Sequence, residues 1–245
     1  MGAADTARTA RLHQRHLPLG LFPRLGPAFL ARWHRTFVEC PSGWAGVVED
    51  ADGRVVAYAL LATDQAAYVR EVLTAHRRPL LLLGARGLLR HPRTLARFTR
   101  TRARRYLRRL ARPGARPGAR PGERAGAAAQ PAEGPVAVLH ALVTEPGHRG
   151  RGIATALLAH SVGAAAAAGA ATVALVTDAD GDAQGAEGFY RHLGWRVVDR
   201  RQRDGRTLVE LRRDLRPDAA PATRQAPPAR PTRPSRPTPD EDPPP

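Results

Sequence analysis

Apolar positions between residues 11 and 38 recur at helical spacing. From Pro23 onward, Leu25, Phe29, Leu30, Trp33 and Phe37 fall on one stripe of about 3.6-residue period, and Pro41-Ser42-Gly43 ends it. The period then shortens to two. Residues 44–49 and 54–63 read as strands, joined by the hairpin signal Ala51-Asp52-Gly53. Residues 65–110 return to a helical pattern that Pro79 and Pro92 are expected to break. Residues 136–144 read as a strand, about 152–168 as a helix, and 171–177 as another strand. A short helix over 184–193 is ended by Gly194, and strands at 195–199 and 207–212 are joined through Arg203-Asp204-Gly205. This alternation predicts an α/β fold built on a mixed sheet flanked by helices.

Composition changes the picture in two ways. The 245 residues are 42 % hydrophobic, enough for a real core. Every one of the 39 basic residues is arginine, there is no lysine or asparagine, and Ile153 is the one isoleucine. That pattern follows GC-rich coding, so the arginine excess is partly mutational. The charge of +17 is also localised: residues 65–135 hold 17 arginines against Glu71, Glu123 and Glu133, a net of +14. A near-neutral body thus carries one strongly basic insertion. Within it, Leu95, Phe98, Ala103, Tyr106, Leu107 and Leu110 form an apolar stripe opposite an arginine face.

The expected organisation is a flexible segment 1–10 and a globular domain 11–215. A basic helical insertion (65–110) and a linker (111–135) interrupt the domain, and a disordered Pro/Arg-rich tail (216–245) follows it. The linker contains Ala-Arg-Pro-Gly three times, a composition that cannot bury a core. Residues 1–10 lack the apolar core of a secretory signal, and the single Cys40 excludes an intramolecular disulfide framework; both favour a cytoplasmic protein. Residues 152–177 carry no charge, but they are mostly Ala and Gly, which gain little from entering lipid.

The sharpest chemical signal is Pro146-Gly147-His148-Arg149-Gly150-Arg151-Gly152-Ile153-Ala154, between a strand and a helix. Glycines let backbone amides approach a ligand, and the helix start adds free N–H groups and a positive dipole end. The product is a cradle for phosphate or pyrophosphate. The Lys-Ser/Thr of a Walker loop and the Rossmann glycine spacing are both absent.

Residues Arg149 to Ala154 resemble the Arg/Gln-x-x-Gly-x-Gly/Ala coenzyme A motif of the GNAT N-acetyltransferase superfamily. A second block, Ala186 to Trp195, resembles that family's Ala-x-x-Phe-Tyr-x-x-x-Gly-Phe segment. The resemblance implies the family's fold and the transfer of an acetyl group from acetyl-CoA to an amine by direct attack. It implies that Leu142, Val143 and Thr144 present backbone groups to the pantetheine arm. Arg149, Gly150, Arg151, Gly152, Ile153, Ala154 and Thr155 would hold the pyrophosphate. Tyr190 occupies the position of the acid that protonates the leaving thiolate. His140 is the candidate base: strand alternation would put it on the face of Leu142, and neutral imidazole suits the task. Ala183 stands where many members have an asparagine.

The remaining candidates read as structural. Glu145 is expected to be a solvated loop acid, Asp178, Asp180 and Asp182 to form a turn, and Cys40 to be a buried small residue. No metal site is expected, because His148 and His192 lack partners at ligand spacing. The partner implied is a small-molecule or peptide amine. The basic insertion reads as a helical lid over the acceptor site, with contact to an anionic surface as its other use; nucleic acid is disfavoured because aromatic stacking residues are scarce there. The alternative to an enzyme is a basic, membrane- or nucleic-acid-associated protein with an inactive CoA-binding fold.

Overall fold

The computed structural model describes residues 1–90, 134–181, 185–203 and 205–215. The stripe at 93–110, the repeat linker and the Pro/Arg tail lie outside them. The chain order is α1 (Thr6–His16), α2 (Pro27–Glu39), β1 (Gly43–Glu49), β2 (Val55–Ala62), α3 (Gln65–Glu71), α4 (Arg77–Arg90), β3 (Val136–Thr144), α5 (Ile153–Ala167), β4 (Thr172–Asp178), α6 (Glu187–His192), β5 (Arg196–Arg203) and β6 (Arg206–Asp214).

Six strands form one mixed sheet in the order β1-β2-β3-β4-β6-β5. β1, β2 and β3 make an antiparallel meander, and β4, β6 and β5 are likewise antiparallel. The two halves meet where β3 and β4 run parallel, paired only from Val136↔Thr172 to Leu139↔Leu175. Past Leu139 the strands part and leave an edge of β3 without a strand partner.

Every residue of β2 is buried, so its alternation is masked by helices on both faces. Tyr58, Leu60 and Ala62 point into a core shared with Leu12, Leu30, Trp33 and Phe37. Ala57, Ala59 and Leu61 point the other way, into a core with Leu157, Val173, Tyr190, Trp195 and Leu211.

Three boundaries differ from the sequence expectation. The first helix starts at Thr6, and Thr9 and Ala10 are fully buried, so residues 6–10 pack into the core rather than flex. The helical stretch read over 11–38 is two α-helices, separated by a segment with positive φ at Gly20 and Gly26 and a 3-10 turn over Phe22–Leu25. Pro79 does not break its helix. It is the third residue of α4, which follows a π-turn over Val72–His76. A proline ring clashes with the carbonyl four residues back, and the wider π-turn sits where that carbonyl belongs. No helix among the described residues is long and apolar enough to cross a membrane.

Candidate active site

At the C-terminal end of β3, the loop to α5 has the glycine geometry of an anion cradle. Gly150 and Gly152 adopt φ of 73° and 76°, a left-handed conformation that favours glycine. A Cβ at Gly147, Gly150 or Gly152 would meet nothing within 4 Å, so the concave side is open. The Arg149 N–H bonds the Pro146 carbonyl, and the next backbone bond is from Ala156 N–H to the Gly152 carbonyl. Among the described residues, the six amides from Gly150 to Thr155 therefore have no backbone acceptor, and Gly152 offers no side-chain cap. Arg151 is exposed beside them. Arg149 instead folds back, its Nε donating to the Thr144 carbonyl at 3.1 Å. Thr144 is buried, and its Oγ1 has no partner. Free amides, open Cβ positions and one orphaned hydroxyl fit a pyrophosphate and its attached arm.

His140 lies four residues before Thr144, about 13 Å up the strand. Leu60 and Leu61 of β2 face Ala141 and Leu139, so His140 is the extra residue of a β-bulge. The bulge resets the alternation. Ala137 and Leu139 join the core beneath α5, whereas Ala141 and Val143 join the core beneath α1 and α2. The His140 ring contacts Trp33, Phe37 and Tyr68 on the α2 side. Leu142 packs toward the α5 side. The expectation that His140 and Leu142 share a face is thus corrected: the bulge puts them on opposite faces.

The His140 Nε2 is 2.8 Å from Gln65 Oε1. A carbonyl oxygen only accepts, so Nε2 carries the proton and Nδ1 keeps the lone pair. Burial lowers the imidazole pKa to about 4. Gln65 is placed by the cap of α3: the Asp64 carboxylate accepts from the Ala66 and Ala67 amides at 2.8 and 3.0 Å. Tyr68 of the same helix bonds Thr36 of α2 at 2.6 Å. The start of the basic insertion therefore contributes a side chain to the site.

Beside His140 opens a cleft of about 260 Å³, walled by His13, Phe22, Trp33, Arg206 and Leu208 among others. Arg206 is held by Asp178, whose two carboxylate oxygens each accept at 2.8 Å. Asp178 is thus a structural partner, as is Asp180, which accepts from the Gly188 amide at 2.8 Å. Asp182 lies outside the described residues.

Tyr190 sits in α6, buried in the second core with its ring edge-on to Phe189 and Trp195. Burial pushes its phenol well above the usual range. The first turn of α6 is pinned by Glu187, buried and paired with Arg200. The described contacts do not join Tyr190 to His140, which belongs to the opposite core. Glu145 is not a solvated acid: its carboxylate accepts from Arg8 at 2.7 Å and is 19 % exposed. Cys40 is buried, and desolvation raises its thiol to about 11, leaving it unreactive.

Sequence reasoning missed Gln65 and His13. For Gln65 a signal existed in Asp64, a capping residue directly before a helical run. For His13 there was none, since its partners come from α2 and β2.

Residues 114–195 match the family model described as the Acetyltransferase (GNAT) family. No curated protein matches the chain. The fold is similar to three solved structures. One is SsHAT, 22 % identical over 87 % of this chain and 95 % of that one, with a TM-score of 0.53. A second, described as an acetyltransferase, is 17 % identical over 88 % and 97 %, with a TM-score of 0.50. The third is a histone acetyltransferase HPA2 and related acetyltransferase from Corynebacterium glutamicum, 17 % identical over 89 % and 96 %, with a TM-score of 0.50.

Proposed function

Because the chain carries a domain of the GNAT acetyltransferase family, we propose that it transfers an acetyl group from acetyl-CoA to a primary amine. The observation that carries this reading is the run of unpaired amides from Gly150 to Thr155, set against the open edge of β3. When bound there, acetyl-CoA supplies a thioester carbonyl for an amine to attack.

The chain's own groups divide the work. The amides of residues 150–155 and the dipole of α5 hold the pyrophosphate, with Arg151 adding charge. Backbone groups of residues 142–144 that β2 does not use are available to the pantetheine arm. Arg149 acts chiefly by bracing the Thr144 carbonyl. His140, neutral at pH 7 with Nδ1 unprotonated, serves as the hydrogen-bond acceptor or base for the amine. Tyr190, kept protonated by burial, serves as the acid for the departing thiolate. The domain runs from α1 to β6, with residues 91–133 inserted between α4 and β3.

Calorimetric titration with acetyl-CoA, with free CoA beside it, tests the cradle. Saturable micromolar binding that disappears in Gly152→Glu is expected, since a carboxylate would then occupy the anion position. Absence of binding in the folded wild-type protein overturns the reading. Thiol release over a panel of primary amines then tests the transfer itself.

A further inference from the structure

α4 carries more leucine than one face of a helix can bury. Its inner face docks on the core beneath α1 and α2: Leu80, Leu83 and Leu88 pack there. Gly84 and Gly87 are buried among them and bring the helix close to Leu25 and Phe29. That docking fixes which side chains face away. Leu82 and Leu89 are 73 % and 74 % exposed, and Leu81 is 47 % exposed. With the exposed Ala85 they cover an arc of about 100° on the outer face. Single exposed leucines need no explanation, but a contiguous group on one face marks a contact surface.

Charge decides what can cover that arc. Arg77 borders it on one side, Arg86 and Arg90 on the other, and Arg78 stands within it at the helix start. All four are exposed, and α4 contains no acid. Among the described residues, Glu71 is engaged by Ser42, and Glu39 by Arg32 and Arg35. A second copy of α4 would set these arginines against their own kind. Residues 91–110 of the same chain hold eight arginines and no acid, so they would do the same. Nucleic acid would satisfy the guanidinium groups but leave the leucines in water. An anionic lipid surface satisfies both, with phosphates at the headgroup level and hydrocarbon beneath.

We propose that the outer face of α4 is a docking surface for an anionic lipid bilayer. Leu81, Leu82 and Leu89 enter the boundary between headgroups and acyl chains, and Arg77, Arg86 and Arg90 meet the lipid phosphates. Arg78 lays its aliphatic stem beside the leucines and reaches back to the headgroups. The helix lies along the surface rather than across it, since no helix among the described residues is long and apolar enough to span. The contact is independent of the transferase reading.

Co-sedimentation of the full chain with vesicles tests it, using phosphatidylcholine mixed with phosphatidylglycerol and, beside it, phosphatidylcholine alone. Binding is expected to the anionic vesicles and should fall steeply as salt rises. Leu82→Ser with Leu89→Ser keeps the charge and should weaken binding about tenfold. Arg86→Gln with Arg90→Gln should weaken it at least as much and flatten the salt dependence. Both double variants should keep the wild-type melting temperature, because the altered side chains face solvent. A wild type that ignores anionic vesicles, or binds neutral ones equally, overturns the proposal. So does binding that the leucine changes leave intact, which would assign it to the other arginines alone. A melting temperature that drops in Leu82→Ser with Leu89→Ser also overturns it, because the face would then be covered by the chain itself. Leucine-independent binding to an RNA or DNA oligonucleotide, tighter than to the vesicles, assigns the surface to nucleic acid and overturns it as well.

Discussion

Arg8 of α1 reaches Glu145 at the mouth of the anion cradle, 2.7 Å away, while its Nε donates to the Val55 carbonyl at 3.1 Å. One guanidinium therefore ties the N-terminal helix to β2 and to the end of β3. The pair is partly exposed, so screening takes much of its Coulomb energy. Arg8→Ala also loses the bond to a backbone carbonyl and should cost about 1–2 kcal/mol. Glu145→Gln should cost less than half as much. Urea unfolding of the two variants checks the order.

Tyr190→Phe removes one hydroxyl from a packed ring and leaves the ring in place. Turnover should fall at least tenfold while CoA affinity and the melting temperature stay near wild type. Since burial raises the phenol pKa, the wild-type enzyme should keep its activity to at least pH 9.5; an alkaline loss centred near pH 8 would exclude Tyr190 as the acid.

His13 and His140 are each lowered to about 4 by burial, and His34 is lowered as well. In the unfolded chain these groups titrate near 6.5. Between about pH 6.5 and 4 the unfolded state binds more protons, so stability falls as the pH falls through that window. Each histidine contributes a slope of about 1.4 kcal/mol per pH unit. Urea midpoints at pH 7, 6 and 5 should drop steadily, and His140→Gln should reduce the proton uptake on unfolding by about one.

α4 docks through glycine. A Cβ on Gly87 would lie 2.3 Å from the Leu25 carbonyl oxygen, a backbone atom that cannot step aside cheaply. Gly87→Ala should therefore push α4 away from residues 22–25 and lower stability by about 1–3 kcal/mol. Because Phe22 and Pro23 line the cleft, the amine KM should rise while CoA binding is spared. Gly84→Ala, whose Cβ would sit 3.6 Å from Phe29, is the control expected to be mild.

The cradle was legible in the sequence because its determinants are local. Gly150 and Gly152 adopt the left-handed conformation that their spacing suggested, and the helix begins one residue later. The strands were legible for the same reason; β3 has the bounds read from its alternation. The side chain of His140 was not, because alternation assumes an unbroken ladder and the bulge is set by pairing with Leu60 and Leu61. The His13–His34–Tyr58 chain was invisible because it joins residues 21 and 45 positions apart in sequence. Pro79 misled because the π-turn that accommodates it has no signature of its own.

The parting of β3 from β4 carries a mechanical consequence. The sheet is two three-stranded halves held along one seam of four paired residues, Val136–Leu139 against Thr172–Leu175. Few backbone bonds cross that seam, and the core beneath α5 packs side chains of both halves against each other. A molecule lodged where β3 and β4 part would add a second brace between them. Amide exchange in β3 and β4 should then slow together on ligand loading, while the outer strands β1 and β5 barely change.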